Sequence, residues 1–237
     1  MWNNQNVQVL FPAYNEEENI KNAINEFLGN IYVDDVIVID NNSKDNTKTE
    51  IQKTNAIYIF EQVAGYGAAL SRGLRESTAE IVITCEPDGT FSSNDIIKLL
   101  VYSDDHDIVF GSRTSKACIR DGAAMGWFLR IGNIVVAKLL EYLFKGPRLS
   151  DVGCSMKLIK KKKLDKIKHQ FKVTKSHFQP EFMINSLLID DNVLEIPVNY
   201  YPRIGTSKIT GSPIKAFLLG NMMVYYIITT RIIRLFR

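Results

Sequence analysis

Cysteine is scarce: Cys85, Cys118 and Cys154 are the only three in the chain. Odd in number, far apart and without a CxxC pair, they exclude a disulfide framework and a thiolate zinc site, and they suit a reducing compartment. A surplus of one charge is also lacking. The 29 Lys and Arg against 26 Asp and Glu leave a net charge of +3, without the broad basic excess of nucleic-acid-binding domains, so no nucleic acid partner is expected. The opening stretch MWNNQNVQVLF has neither a basic start nor a long apolar core followed by small residues. No secretory leader is expected from it, and the reading is a cytoplasmic protein. Glycines are missing where a dinucleotide-binding turn needs them. The first apolar run leads into PAYNEEEN, whose glutamates would repel a pyrophosphate.

What is present is a rhythm. Short β-branched runs at 7–11, 36–39, 56–60, 81–84 and 108–110 are each followed by turn residues and a helix-like segment. In the first helix Ile20, Ala23, Ile24, Phe27 and Leu28 fall at i, i+3, i+4, i+7 and i+8, with Asn15 placed to cap it and Glu18 to answer. Continuous apolar strands alternating with helices predict an α/β fold, a mostly parallel sheet covered on both faces, with ligands at the carboxyl ends of the strands. Beyond Gly111 the pattern predicts a long helix over 127–144, a helix around 181–189 and a strand over 193–201. No internal repeat or low-complexity linker interrupts the 237 residues, which predict one catalytic unit over 1–211 and a C-terminal apolar helix over 212–237.

The predicted strand ends carry acids. Pro12, Tyr14 and Glu16 follow the first strand, and offer either a helix start or a stiff turn with an aromatic edge and a carboxylate for a base or ribose. Asp40 ends the second, where it either holds a nucleoside or braces the turn of Asn41, Asn42 and Ser43. Gly65, Gly67 and Gly73 after the third read as close packing of helix on sheet. The fourth delivers EPDGT, with Glu86 and Asp88 one residue apart. Pro-Asp-Gly is a common turn, yet hard cations such as Mg²⁺ and Mn²⁺ take carboxylate oxygens and borrow others from phosphates. Acids from three neighbouring strand ends would repel one another with nothing cationic between them. Arg113, Arg130, Arg203 and Lys208 stand beside turn residues and offer the positive charge that phosphates need.

In order, PAYNEEENI, VIDNNSKDNT, GYGAALSRGL, EPDGT, FGSR, DVGCSMKL and RIGTSKITG resemble family 2 glycosyltransferases of the dolichol-phosphate mannose synthase-like group. The resemblance spans nearly the whole chain. It implies a GT-A fold and an inverting transfer of sugar from a UDP- or GDP-sugar to an acceptor, often a polyprenyl phosphate. By the same resemblance Pro12, Tyr14, Glu16, Val38, Asp40, Pro87 and Arg130 would serve donor binding. Glu86, Asp88 and Thr90 would stand at the metal motif for Mg²⁺ or Mn²⁺. Arg113, Arg203 and Lys208 would act with Asp88 at the phosphates. The first acid is Glu86 where the family has Asp, which makes Asp88 the principal ligand.

A phosphate acceptor is already anionic near neutral pH and needs no protein base. A glycan hydroxyl acceptor, as in capsule or cell-wall assembly, would need one, and Asp151 and Glu181 are the candidates. A non-catalytic nucleotide-sugar-binding scaffold is the contrasting reading. Residues 216–230 carry no charge and are bounded by Lys215, Arg231, Arg234 and Arg237. That run is only about 22 Å as a helix, short of a ~30 Å hydrocarbon core. Peripheral contact at the cytoplasmic face of a membrane, helped by the lysines at 160–163, or packing within a homo-oligomer is expected instead.

Overall fold

The computed structural model describes residues 1–190, 192–205 and 212–236. Seven strands, β1 (Val7–Ala13), β2 (Asp35–Asp40), β3 (Ile57–Phe60), β4 (Ile81–Thr84), β5 (Ile108–Ser112), β6 (Lys157–Lys160) and β7 (Val193–Pro197), form one sheet in the order β3-β2-β1-β4-β6-β5-β7. The helices, in chain order, are α1 (Ile20–Leu28), α2 (Thr47–Ile51), α3 (Tyr66–Glu76), α4 (Ile96–Ser103), α5 (Trp127–Phe144), α6 (Lys161–Ile167), α7 (Phe178–Leu187) and α8 (Pro213–Leu235). Every strand pairing is parallel except those of β6, which runs antiparallel between β4 and β5.

Strand alternation divides the core. Val7, Val9 and Phe11 of β1 and Val36 and Val38 of β2 face α1 and α4, whereas Leu10, Ile37 and Ile39 face α3, α5 and α7. On α1 the buried stripe is Ile20, Ala23, Ile24 and Phe27, as the spacing predicts. Burial of such large apolar side chains contributes about 1.5–3 kcal/mol each. Phe27 meets Phe11 edge to face, 5.0 Å between centroids. On α3, Gly73 lies so close to β2 that an added Cβ would sit 2.6 Å from Ile39 Cδ1. A Cβ on Gly67 would instead meet the backbone oxygen of Val173 at 2.2 Å, so this glycine packs against the loop before α7 rather than against the sheet.

Three expectations change. Asn15 does not cap α1. It adopts a left-handed φ of 56°, and its Oδ1 accepts from the Lys44 amide at 2.8 Å, tying the β1 and β2 loops together. The last strand stops at Pro197, and Tyr200 forms only an isolated bridge to Ile119. The lysines at 160–163 lie at the sheet edge opposite the strand ends discussed below, engaged with acids: Lys162 meets Asp107 at 2.8 Å and Lys163 meets Asp190 at 2.9 Å.

Strand β6 has no counterpart in the sequence reading. It begins with Lys157, fully buried, whose Nζ donates to Gln179 Oε1 at 2.7 Å and to the Cys154 carbonyl. Burial pulls that ammonium down to about 8. A strand that opens on a lysine lacks the apolar signature of a buried one.

Candidate active site

The parallel register brings the carboxyl ends of β1, β2 and β4 to one edge: Ala13 pairs with Asp40, and Leu10 with Thr84. β1 lies between β2 and β4, so Asp40 and the EPD turn are separated by two strand spacings, about 10 Å. The turn after β4 is a genuine Pro-Asp-Gly turn, with Gly89 at a φ of 80° that favours glycine. Asn19, buried at the start of α1, donates to the Pro87 carbonyl at 2.6 Å and clamps the turn from outside.

The segment after β7 zips onto the same turn. Tyr201 N donates to Thr90 O at 2.9 Å and Ile204 N donates to Asp88 O at 2.8 Å. Those two bonds set the position of Arg203. Its Nη1 lies 2.8 Å from Asp88 Oδ2 and 3.9 Å from Glu86 Oε2, while Nη2 lies 3.0 Å from Glu16 Oε1. Acids from the ends of β1 and β4 thus converge on one guanidinium. The repulsion inherent in their clustering is relieved by a residue 187 positions away from Glu16.

The electrostatics follow from this geometry. Burial and the neighbouring Asp88 push the Glu86 carboxyl up to about 8, against the pull of Arg203 and Arg113. Burial works against the charge of Arg203, but Asp88, Glu86 and Glu16 more than offset it and hold its pKa above the ordinary value. On Asp88 the two oxygens differ. Oδ1 accepts from the Thr90 amide at 3.0 Å and from the Thr90 hydroxyl. Oδ2 is buried and receives no hydrogen bond of good geometry, only the guanidinium charge. A buried carboxylate oxygen that faces one guanidinium and accepts no hydrogen bond of good geometry has a lone pair to offer a hard divalent cation. Among the described residues no three Asp, Glu, His or Cys side chains gather as a metal cage. A cation here would rest on the Glu86 and Asp88 pair and draw other oxygens from a ligand.

The remaining predicted residues sort as follows. Asp40 is buried and braces its turn, Oδ1 accepting from Ser43 N at 3.0 Å and Oδ2 from Tyr58 OH at 3.1 Å. Pro12 and Tyr14 lie on the same edge, Pro12 paired with Ile39 and Tyr14 exposed. Val38 is a correction: it is wholly buried beneath α1 and has no surface to offer a nucleoside. The Thr90 hydroxyl is directed to Asp88, which makes it a support for that carboxylate. Arg130 donates from Nε to the Thr114 carbonyl at 2.7 Å. Lys208 lies outside the described residues.

Arg113 sits in a buried fork with Asp151: Nε to Oδ2 at 2.8 Å, Nη2 to Oδ1 at 2.9 Å, and its own amide to Oδ2 at 2.9 Å. Its guanidinium also stacks 5.2 Å from the Tyr200 ring centroid. Burial works against the Asp151 charge, but Arg113 holds the carboxyl below its ordinary value. Asp151 is thereby engaged as an ion-pair partner rather than poised as a base. Glu181 is engaged too, accepting from Lys172 N and Val173 N at 2.9 Å each and from Tyr226 OH at 3.2 Å. Sequence reading missed Asn19 and Tyr200. Asn19 lies within PAYNEEENI and Tyr200 just before RIGTSKITG, but nothing local shows that their side chains turn toward the EPD turn and Arg113.

Comparison with known proteins identifies the family and the fold. The family profile of glycosyl transferase family 2 matches residues 8–168, more than half of the chain. An uncharacterised glycosyltransferase of Mycobacterium tuberculosis is 28% identical over 208 residues, covering 87% of this chain and 90% of its own. A UDP-N-acetylglucosamine–dolichyl-phosphate N-acetylglucosaminyltransferase of Methanococcus voltae is 27% identical over 215 residues, covering 81% of this chain and 84% of its own. Among solved structures, glucosyl-3-phosphoglycerate synthase of M. tuberculosis, in complex with Mn²⁺, UDP-glucose and phosphoglyceric acid, superposes with a TM-score of 0.68 at 17% identity, over 96% of this chain and 80% of that one. That likeness shows the GT-A-like fold.

Proposed function

The chain belongs to glycosyl transferase family 2, and from that premise we propose that it is an inverting transferase moving a sugar from a UDP- or GDP-sugar to a polyprenyl phosphate at the cytoplasmic face of a membrane. The observation that carries the donor half is the convergence of Glu16, Glu86 and Asp88 on Arg203 at the carboxyl edge of the sheet. Pro12, Tyr14 and Asp40 line the nucleoside end of that edge. Bound Mg²⁺ or Mn²⁺, held by Asp88 with Glu86, would neutralise the departing diphosphate. Arg203 adds a planar donor fork suited to phosphate oxygens. Lys208, a few residues on, would add a point charge.

The acceptor half rests on the two carboxylates that a hydroxyl acceptor would call upon. Asp151 is occupied by Arg113, and Glu181 by two backbone amides and a tyrosine. A phosphate monoester brings its own anionic oxygen, so positioning against the anomeric carbon replaces base catalysis. The dolichyl-phosphate-acting relative, similar over most of the chain, supports the same acceptor class. Purified protein supplied with Mn²⁺ and UDP-GlcNAc, UDP-glucose or GDP-mannose is expected to glycosylate a short-chain polyprenyl phosphate. Transfer to sugar hydroxyls or to phosphoglycerate, with none to polyprenyl phosphate, would overturn the acceptor.

Proton release tests the metal site separately. With its pKa raised to about 8, Glu86 is protonated at pH 7 in the metal-free protein. A divalent cation beside it favours the carboxylate, so binding of Mn²⁺ with UDP at pH 7 is expected to release roughly one proton. Calorimetry in buffers of differing ionisation enthalpy measures it. The release fades above the raised pKa and is absent in Glu86→Gln; an equal release from that variant would remove Glu86 from the site. The sign for stability runs the other way. The unfolded chain loses this proton near 4.5 and the folded one near 8, so the metal-free protein loses stability as pH rises between those values.

A further inference from the structure

One side of α8 packs against the core. Met223 and Ile227 are buried against the domain, and Tyr226 OH reaches Glu181 at 3.2 Å. The other side faces outward and is apolar as well: Ile214, Leu218, Met222, Tyr225 and Ile232 recur at helical spacing, with Ile214 and Tyr225 each 72% exposed. Helix α5 packs beside α8 and repeats the pattern. Its outward stripe is Trp127, Ile131, Val135 and Tyr142, with Trp127 75% and Tyr142 82% exposed. A helix apolar all round normally has both faces covered, and an apolar patch of this breadth marks an interaction surface.

Charge identifies the cover. From 213 to 235 there is no Asp or Glu, and the charged residues are Lys215, Arg231 and Arg234. On α5 the stripe is interrupted by Lys138, which pairs with Glu141 at 2.6 Å, the sole acid of that helix. Two copies joined through α8, in either sense, would set cation beside cation with no acid on that helix to answer. Anionic headgroups answer them directly, above acyl chains that take the apolar stripe. In sequence both helices adjoin residues of the site: Arg130 lies in the first turn of α5, and Arg203 precedes α8 by ten residues.

We infer that the outward faces of α5 and α8 form one docking surface for an anionic lipid bilayer, with both helices lying along the headgroup–acyl boundary. The inference deepens the reading above, in which the acceptor is membrane-borne, and names the surface that brings the site to it. Length does not decide between lying and crossing. The 23 residues of α8 make a helix of about 34 Å, longer than the run of uncharged residues suggested and enough to cross a ~30 Å core. Packing decides it. Crossing would strip Met223, Ile227 and the Tyr226–Glu181 bond from the domain, whereas lying flat keeps them and covers the outward stripe.

The test uses the full chain with vesicles that contain no polyprenyl phosphate. The protein is expected to co-float with phosphatidylglycerol–phosphatidylcholine vesicles and much less with phosphatidylcholine alone. The chain has two tryptophans, and the second, Trp2, donates to Asp104 at 2.8 Å. Trp127 should therefore supply a blue shift on binding, quenched best by lipids brominated near the headgroup. A double variant, Ile131→Glu with Tyr225→Glu, alters two exposed side chains. It should keep wild-type melting and UDP binding while its vesicle-bound fraction falls more than about tenfold. Wild-type protein that stays in solution, vesicle binding unchanged by the double variant, or a dimer that the double variant dissolves would each overturn the inference. Vesicle binding without sugar transfer would instead reject the proposed acceptor and leave the docking surface standing.

Discussion

Asp88→Asn is expected to lower sugar transfer by roughly 10²–10³-fold while leaving nucleotide affinity within a few-fold of wild type. The substitution is nearly isosteric. Oδ1 still accepts from Thr90 N and Oγ1, so the turn keeps its shape. What changes is the other atom: the buried anionic Oδ2, 2.8 Å from the Arg203 guanidinium, becomes either a neutral oxygen or an amide that faces a cation. A divalent cation held there would lose its principal carboxylate, and the departing diphosphate would lose that neutralisation more in the transition state than in the bound donor. Removing Asp88 also removes a repulsion from Glu86, whose carboxyl should fall back toward its ordinary range. Steady-state kinetics with Mn²⁺ titration measures the first effect, and a loss of turnover under tenfold would mean that Asp88 does not carry the metal. Loss of UDP binding and turnover together, with melting unchanged, would place Asp88 in the nucleotide's ground-state contacts instead.

Asp151→Ala is expected to destabilise the fold by about 3–5 kcal/mol, because it leaves the buried Arg113 guanidinium without its carboxylate. For a chain of this size that corresponds to a fall in melting temperature on the order of 10 °C. Arg113→Lys with Asp151 kept should also destabilise, since an ammonium cannot span both carboxylate oxygens. Replacing both partners by Arg113→Met with Asp151→Leu should regain much of the loss, because no charge is then left unpaired. That double variant separates structure from chemistry: if it folds but transfers no sugar, the Arg113–Asp151 pair serves the reaction beyond holding the fold. The pH dependence has a definite sign. The Asp151 carboxyl is held below 3.8, so its stabilisation is complete above that value and disappears as pH falls through the lower, folded-state value. Single variants that melt like wild type would show that the fork contributes nothing measurable.

Much of the architecture is legible in the chain because its signals are local. Each β-branched run at a predicted strand became a strand, and α5 occupies the residues its periodicity marks. Where reading failed, a local signal was absent or carried the wrong sense. Lys157 opens a buried strand, satisfied by Gln179 from a helix that follows it. Asn15 looks like a cap but serves a neighbouring loop. Asp151 looks like a free acid in the DVGCSMKL turn, and only Arg113, folded back from β5, accounts for its charge. Val38 sits near an acid in sequence, but strand alternation turns it into the core.

By itself the sequence determined the α/β alternation, the edge of the sheet that carries the acids, and the stock of carboxylates and cations available there. These follow from periodicity and turn chemistry within short windows. Tertiary structure alone decided the pairings: Arg203 with Glu16, Glu86 and Asp88, Arg113 with Asp151, and α8 with α5. The reason is physical. Side chains 38 to 187 residues apart meet only after the strand order and the reversal of β6 have set where each loop emerges, and the backbone bonds of Tyr201 and Ile204 then bring the Arg203 guanidinium to the acids.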